Sequence, residues 1–183
     1  YTKLAQDLQL PHAQWYVSLF HAMRLLMSGS FDKAEVAAQS FLELGSRVED
    51  RNAPQSFGAH LLLRLWEDNK LAEISDLVDG FITKHPTIPA WRCVALFIHS
   101  EKKNSEAIRL FDQFAEFGFD NLPLNETWAI AIQMLSNACV NIGCDFHAHQ
   151  LYDLSLPGKM HHTIVGYGVM SWGSRARELG NLA

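Results

Sequence analysis

Four short turns punctuate this chain, and each one ends a long segment of helical apolar periodicity and begins another. They are Ser28-Gly29-Ser30-Phe31-Asp32-Lys33-Ala34, Asp68-Asn69-Lys70-Leu71-Ala72-Glu73-Ile74, Lys102-Lys103-Asn104-Ser105-Glu106-Ala107 and Ile142-Gly143-Cys144-Asp145-Phe146-His147-Ala148. Gly29, Asn69, Lys102 and Gly143 stand 40, 33 and 41 residues apart. That is the interval of repeated helical hairpins, which must stack because one hairpin alone cannot bury its apolar face. Function is therefore expected on a surface built by several hairpins rather than in a catalytic cleft.

The apolar stripes fill in the hairpins. Pro11 suits the first turn of a helix that carries Trp15, Leu19, Ala22, Leu25 and Leu26, and Phe31 opens the returning helix with Ala34, Ala37, Ala38, Phe41 and Leu44. The second hairpin runs from Ala53, with Leu61, Leu62 and Leu65, and returns through Ile74, Leu77, Val78 and Phe81 until His85-Pro86 stops it. A third starts at Pro89 with Trp91, Val94, Ala95 and Ile98 and returns through Ala107, Leu110, Phe111 and Phe114. After the loop Gly118–Pro123, Asn125 is expected to cap a helix bearing Trp128, Ile132, Leu135 and Cys139, whose short partner ends at Pro157-Gly158. The expected hairpins cover about 11–49, 53–85, 89–118 and 125–156, with a closing helix over about 168–183 and no sheet, in one repeat domain spanning 1–183. The opening at Tyr1 and the close within a helical pattern predict a segment of a longer protein.

Composition narrows the function classes. Fifteen Lys and Arg against twenty Asp and Glu give a net charge of −5, and no basic stripe exists to displace counterions from phosphates, which argues against direct nucleic-acid binding. Three cysteines, Cys93, Cys139 and Cys144, lack framework spacing and point to a reducing, cytoplasmic setting. No apolar run reaches the ~18 residues of a membrane span, so no membrane partner is expected.

Set in register on their turns, the hairpins resemble tetratricopeptide repeats: Trp91, Val94, Ala95, Ile98, Ala107, Phe111 and Phe114 fall on signature positions, as do Leu61, Leu62, Leu65, Ile74, Val78, Phe81 and Pro86. A second resemblance is carried by Ile88-Pro89-Ala90-Trp91-Arg92-Cys93-Val94-Ala95, Gly118-Phe119-x-x-Leu122-Pro123-x-x-x-x-Trp128, Leu151-Tyr152-x-Leu154-x-Leu156-Pro157 and Gly173-Ser174-x-Ala176-Arg177-x-Leu179-Gly180-x-Leu182-Ala183. These segments resemble the C-terminal helical-repeat region of bacterial signalling proteins in which an AAA-type ATPase precedes the repeats and a class III adenylate or guanylate cyclase or a LuxR-type DNA-binding domain is attached. After Pro157 the chain departs from that pattern with Gly158-Lys159-Met160-His161-His162. The resemblance implies an all-α, right-handed α-α superhelix of tetratricopeptide-like hairpins with a regulatory, non-catalytic role.

Chemistry-bearing motifs are sparse. Cys144-x-x-His147-x-His149 offers zinc-ligand types, but on a helix His147 and His149 point about 200° apart. Gly166-x-Gly168-x-x-x-x-Gly173 has neither a preceding strand signal nor a following Lys for a phosphate loop, and Ser174 and Cys93 have no spaced base. No Asp-Asp-x-x-Asp cluster exists to hold magnesium for a helical terpenoid-type catalyst. No enzyme activity, cofactor or metal is expected.

In tetratricopeptide-like hairpins, first-helix positions line the concave face; here they are Tyr16, Met23, Met27, Ser56, Trp66, Glu67, Arg92, His99, Gln133, Asn137 and Asn141. Aromatic and Met anchors beside Arg and amides suit a protein or peptide partner, a small effector, or neighbouring domains of the same chain. A passive spacer between catalytic modules is the alternative, with a metal-dependent helical enzyme behind it. Val169, Trp172, Ala176, Leu179 and Leu182 on the closing helix form an apolar stripe expected to pair two copies.

Overall fold

The computed structural model describes residues 2–102 and 105–183, so Tyr1 and the turn residues Lys103 and Asn104 lie outside the described residues. It is 72% helix with one small two-stranded sheet. The chain divides into two compact units, Tyr1–Leu71 with Gly166–Ser171 and Ala72–Val165 with Trp172–Ala183.

The first unit holds α1 (Thr2–Asp7), α2 (Pro11–Met27), α3 (Phe31–Arg47) and α4 (Ala53–Glu67). Leu10 is extended and Pro11 stands at the first position of α2, where no N–H is needed. Gly29 at φ +72° reverses the chain between α2 and α3. Trp15, Leu19, Ala22, Ala38, Phe41 and Ala53 form a dry cluster among these helices. Gly45 lets them close: a Cβ there would collide with the Ala53 Cβ and stand 2.7 Å from Trp15 Nε1.

The second unit holds α5 (Ser75–Lys84), α6 (Pro89–Glu101), α7 (Ser105–Ala115), α8 (Trp128–Ile142), α9 (Asp145–Ser155) and α10 (Arg175–Leu182). Its centre is the α6–α8 pair, with α7, α9 and α10 also against α8. The run Ile130–Ser136 of α8 is buried on every side, the mark of a helix enclosed by its neighbours. Gly143 at φ +74° ends α8 in a left-handed cap. The helices expected over 11–49, 89–118 and 125–156 therefore form as packed pairs, while those of 53–85 form with α4 in the first unit and α5 in the second, after a 3₁₀ turn over Leu71–Ile74.

Two local expectations are corrected. Asn125 does not cap α8: its Oδ1 accepts from Thr127 N at 2.9 Å and Thr127 Oγ1 at 2.8 Å, shaping the turn before the helix, and Thr127 occupies the cap position. The closing helix expected over about 168–183, with no sheet, is the other. β1 (His162–Val165) and β2 (Met170–Ser174) pair as a sheet, and only Arg175–Leu182 is helical. His162-Thr163-Ile164-Val165 is a short β-branched run, and Gly166, Gly168 and Gly173 at φ +54°, +91° and +114° take conformations a helix excludes. The short link Gly166–Val169 fits an antiparallel pair. Ser174 then starts α10 by accepting from Ala176 N at 3.2 Å.

Among the described residues no helix is long and apolar enough to cross a membrane. The closing stripe is also not a free face: Trp172, Leu179 and Leu182 are buried within the chain and only Ala176 is exposed, which removes the reason for pairing copies through it.

The close approach at Gly45 yields a direct test. Gly45→Ala overpacks the α2–α3–α4 contact and is expected to cost about 1–3 kcal/mol, read as a fall of several degrees in the thermal midpoint with far-ultraviolet circular dichroism preserved.

Candidate functional site

The sequence-derived candidates separate into two groups. In the first unit, Tyr16 packs its ring 4.7 Å from Trp15 and 6.0 Å from Phe20, so it belongs to the edge of the core. Met23 and Trp66 are half-buried, while Met27 and Glu67 are exposed. Ser56 is 3% exposed and faces no ligand surface, contrary to expectation. Counting from the turn ignores that α4 is covered over most of its circumference, with Ala53, Ser56, Gly58, Ala59, His60, Leu62 and Leu63 all buried.

In the second unit, Arg92 is exposed, with its guanidinium 5.3 Å over the Phe114 ring, and His99 is half-buried on the same helix. The α8 candidates behave differently. Gln133 is 2% exposed and its Oε1 accepts from Thr163 Oγ1 at 3.0 Å, so it holds β1 rather than a ligand. Asn141 donates to Ser100 Oγ at 3.0 Å and to Glu101 Oε1 at 2.9 Å, tying α8 to the end of α6. Asn137 has its buried Nδ2 without a hydrogen-bond partner among the described residues.

Two polar sites escaped the sequence reading. On α10, buried Glu178 accepts from Ser136 Oγ and Ser155 Oγ, both at 2.7 Å, which joins α10 to α8 and α9. Burial pushes the Glu178 carboxyl above the usual carboxylate range, partly offset by the two hydroxyls and by the charge of Arg175. Arg175 itself lies 5.8 Å over the Trp128 ring and rests on Gly158, where any Cβ would strike its guanidinium. The available signal was the polar spacing Gln133, Ser136, Asn137, Asn141 on an otherwise apolar helix, which at i, i+3, i+4 marks an internal polar face.

The other is His60 on α4, 2% exposed. Its Nε2–H donates to the Val169 carbonyl at 2.7 Å, which fixes the tautomer and leaves Nδ1 a buried acceptor with no partner among the described residues. Burial lowers its pKa to about 4, the Val169 bond opposing in part. Beside it lies a pocket of about 40 Å³ bordered by Glu35, Gln39, Phe57 and Arg64, with room for water and not for a metabolite. Arg64 pairs with Asp68 and lies 5.2 Å over the Phe31 ring.

His147 of the Cys144-x-x-His147-x-His149 motif packs 5.7 Å from Phe111 and 6.1 Å from Phe119, and among the described residues no three His, Cys, Asp or Glu side chains converge as metal ligands. Cys93 is fully buried, and burial raises its thiol far above the range of a nucleophile. Comparison with protein-family models, curated proteins and solved structures finds no match.

The two buried groups give pH dependences of opposite sign. His60 stays neutral in the fold, so its stabilisation is complete above pH 6.5 and is lost as pH falls towards about 4, a loss of about 3 kcal/mol. His60→Gln, less stable at neutral pH, is expected to lose correspondingly less in acid urea titrations. For Glu178 the folded pKa is raised, so the fold binds its proton more tightly than the unfolded chain and its contribution declines as pH rises above about 4.3. Midpoints of Glu178→Gln measured across that range should gain on the parent protein as pH rises.

Proposed function

We propose that this chain is a non-catalytic interaction and sensing segment, made of tetratricopeptide-like hairpins in a right-handed α-α superhelix, that serves a bacterial signal-transduction ATPase or transcriptional regulator in the cytoplasm. The observation that carries the reading is the α6–α7 hairpin. Of the residues on the repeat's signature positions, Trp91, Val94, Ile98, Ala107, Phe111 and Phe114 are buried and Ala95 is half-buried, while Arg92 remains exposed on the first helix. A helix that keeps a guanidinium outward over an aromatic ring offers a partner a charge-assisted donor on a rigid base. The partner is a protein, a peptide or a small effector, or a neighbouring domain of the same chain.

A spacer role draws support from α8, whose amides Gln133 and Asn141 are spent on internal hydrogen bonds. The two readings separate on whether the α6 surface is contacted. With a photo-crosslinking side chain at position 92, irradiation in bacterial cells should give a discrete adduct, and the same label at exposed Asp76 of α5 should not. Adducts at neither position would favour the spacer. With the partner in hand, Arg92→Ala should weaken binding about tenfold or more, while the midpoint of unfolding falls only by the loss of one exposed cation–π contact, about 0.5–1 kcal/mol.

A further inference from the structure

Two exposed aromatic side chains lie elsewhere in the second unit, on the loop after α7 and at the start of α9. Phe146 is 90% exposed and Phe117 is 60% exposed. Neither sits on a loose segment. Gly118 N and Phe119 N donate to the carbonyls of Ala115 and Phe114 at 2.9 and 3.3 Å, and Gln150 Nε2 on α9 donates to the Gly118 carbonyl at 2.9 Å. Phe119 is buried, with its ring 5.9 Å from Phe111 and 6.1 Å from His147, although it holds φ at +64°, a conformation bulky residues rarely adopt. The fold thus spends backbone strain to bury Phe119 and hold this loop on α9, while Phe117 two residues earlier and Phe146 next to His147 stay in solvent.

Charge selects what such a surface can accept. From Leu110 to Gly158 the sequence contains no Lys or Arg, and its charged residues are Asp112, Glu116, Asp120, Glu126, Asp145 and Asp153. Asp112, Glu116, Asp120 and Asp145 are exposed on the same loop and helix ends. Asp112 of α7 and Asp145 of α9 both act on Cys144: after burial, their two charges push its thiol up. Of the cations against this stretch, Arg109 is held by Glu106 at 2.6 Å, and the Arg92 and Arg175 guanidinium groups lie over the Phe114 and Trp128 rings, away from Phe146 in the sequence. Two outward aromatic rings inside a field of carboxylates repel nucleic acid and anionic lipid, and they favour ammonium or guanidinium groups carried on an apolar segment, through Coulomb attraction and cation–π contact.

We propose that Phe117 and Phe146, with Asp112, Glu116, Asp120 and Asp145 around them, form a docking surface for a Lys- or Arg-bearing amphipathic segment of a partner protein. It goes beyond the reading above, since it uses none of the first-helix positions and stands whether or not Arg92 is contacted. The probe is a fluorescently labelled synthetic helix of leucine and lysine, compared by anisotropy with the same helix carrying glutamate in place of lysine. The lysine helix should bind, with affinity falling as salt rises, and the Phe117→Ser/Phe146→Ser protein should bind it about tenfold or more weakly. The Asp112→Asn/Asp145→Asn protein should lose affinity and salt dependence together, whereas Val36→Ser, at an exposed apolar side chain of the other unit, should change neither. Because every substituted side chain is exposed, unchanged circular dichroism and thermal midpoints accompany the expected result. Equal affinity of the parent and Phe117→Ser/Phe146→Ser proteins, or equal binding of the glutamate helix, would overturn the proposal. So would sedimentation in which that double substitution turns a dimer into a monomer, because the occupant would then be a second copy.

Discussion

The second unit depends on α8, a helix that could not stand alone in water. Nine of its fifteen residues are buried, among them the unbroken run Ile130–Ser136, so neighbours are required on every side of it. Enclosure brings a second demand, because Gln133, Ser136 and Asn141 carry polar groups that each need a partner once water is removed. The surrounding elements provide them: Thr163 for Gln133, Glu178 for Ser136, and Ser100 with Glu101 for Asn141. These bonds are directional, so they fix which residue of each neighbour faces α8, where apolar packing alone would tolerate sliding.

In the first unit the governing constraint is close approach. Gly45 and the alanines Ala22, Ala34, Ala38 and Ala53 are buried small residues, and Trp15 and Phe41 occupy the space they leave. Large side chains set against small ones give interlocking at native density without a polar network. The exception is His60, a histidine buried against Phe41 at 5.0 Å whose one hydrogen bond goes to a backbone carbonyl. Its Nδ1 has no partner among the described residues, so a proton placed there in the interior costs stability on the acid side.

Helices were legible in the sequence because period and punctuation agreed: an apolar stripe at helical spacing bounded by Gly29, Pro86, Pro89 or Gly143 leaves few alternatives. The strands were not legible. His162–Val165 is four residues long, too short for alternation to register, and the second strand, Met170–Ser174, is buried on consecutive residues at its start, so period two is absent there. The candidate site was legible only in part. Arg92 is exposed, but counting from the turns cannot reveal that Ser56 and Gln133 are covered, because what covers them comes from elsewhere in the chain: for Gln133, a strand thirty residues on. Glu178 shows the same limit, since a glutamate one turn into a short terminal helix reads as a solvated charge until two serines on other helices are seen to meet it.

The fate of α8 also bears on where recognition can occur. In a stack of hairpins the first helices supply the ligand-facing side chains, and the end of the stack needs a polar cover. Here β1 and α10 take up the polar face of α8 and bury Glu178 and Thr163 in doing so. Displacing that cover for a ligand would leave Gln133, Ser136 and Glu178 without partners in a dry site, a cost of about 1–3 kcal/mol for each neutral group and more for a charge. A partner therefore gains more by meeting groups already in water, such as Arg92 on α6 or the aromatic corner of Phe117 and Phe146, than by entering the interior face of α8. Were this unit to bind a partner as proposed, the same hydrogen bonds that make its central helix possible would push the contact towards its helix ends and loops.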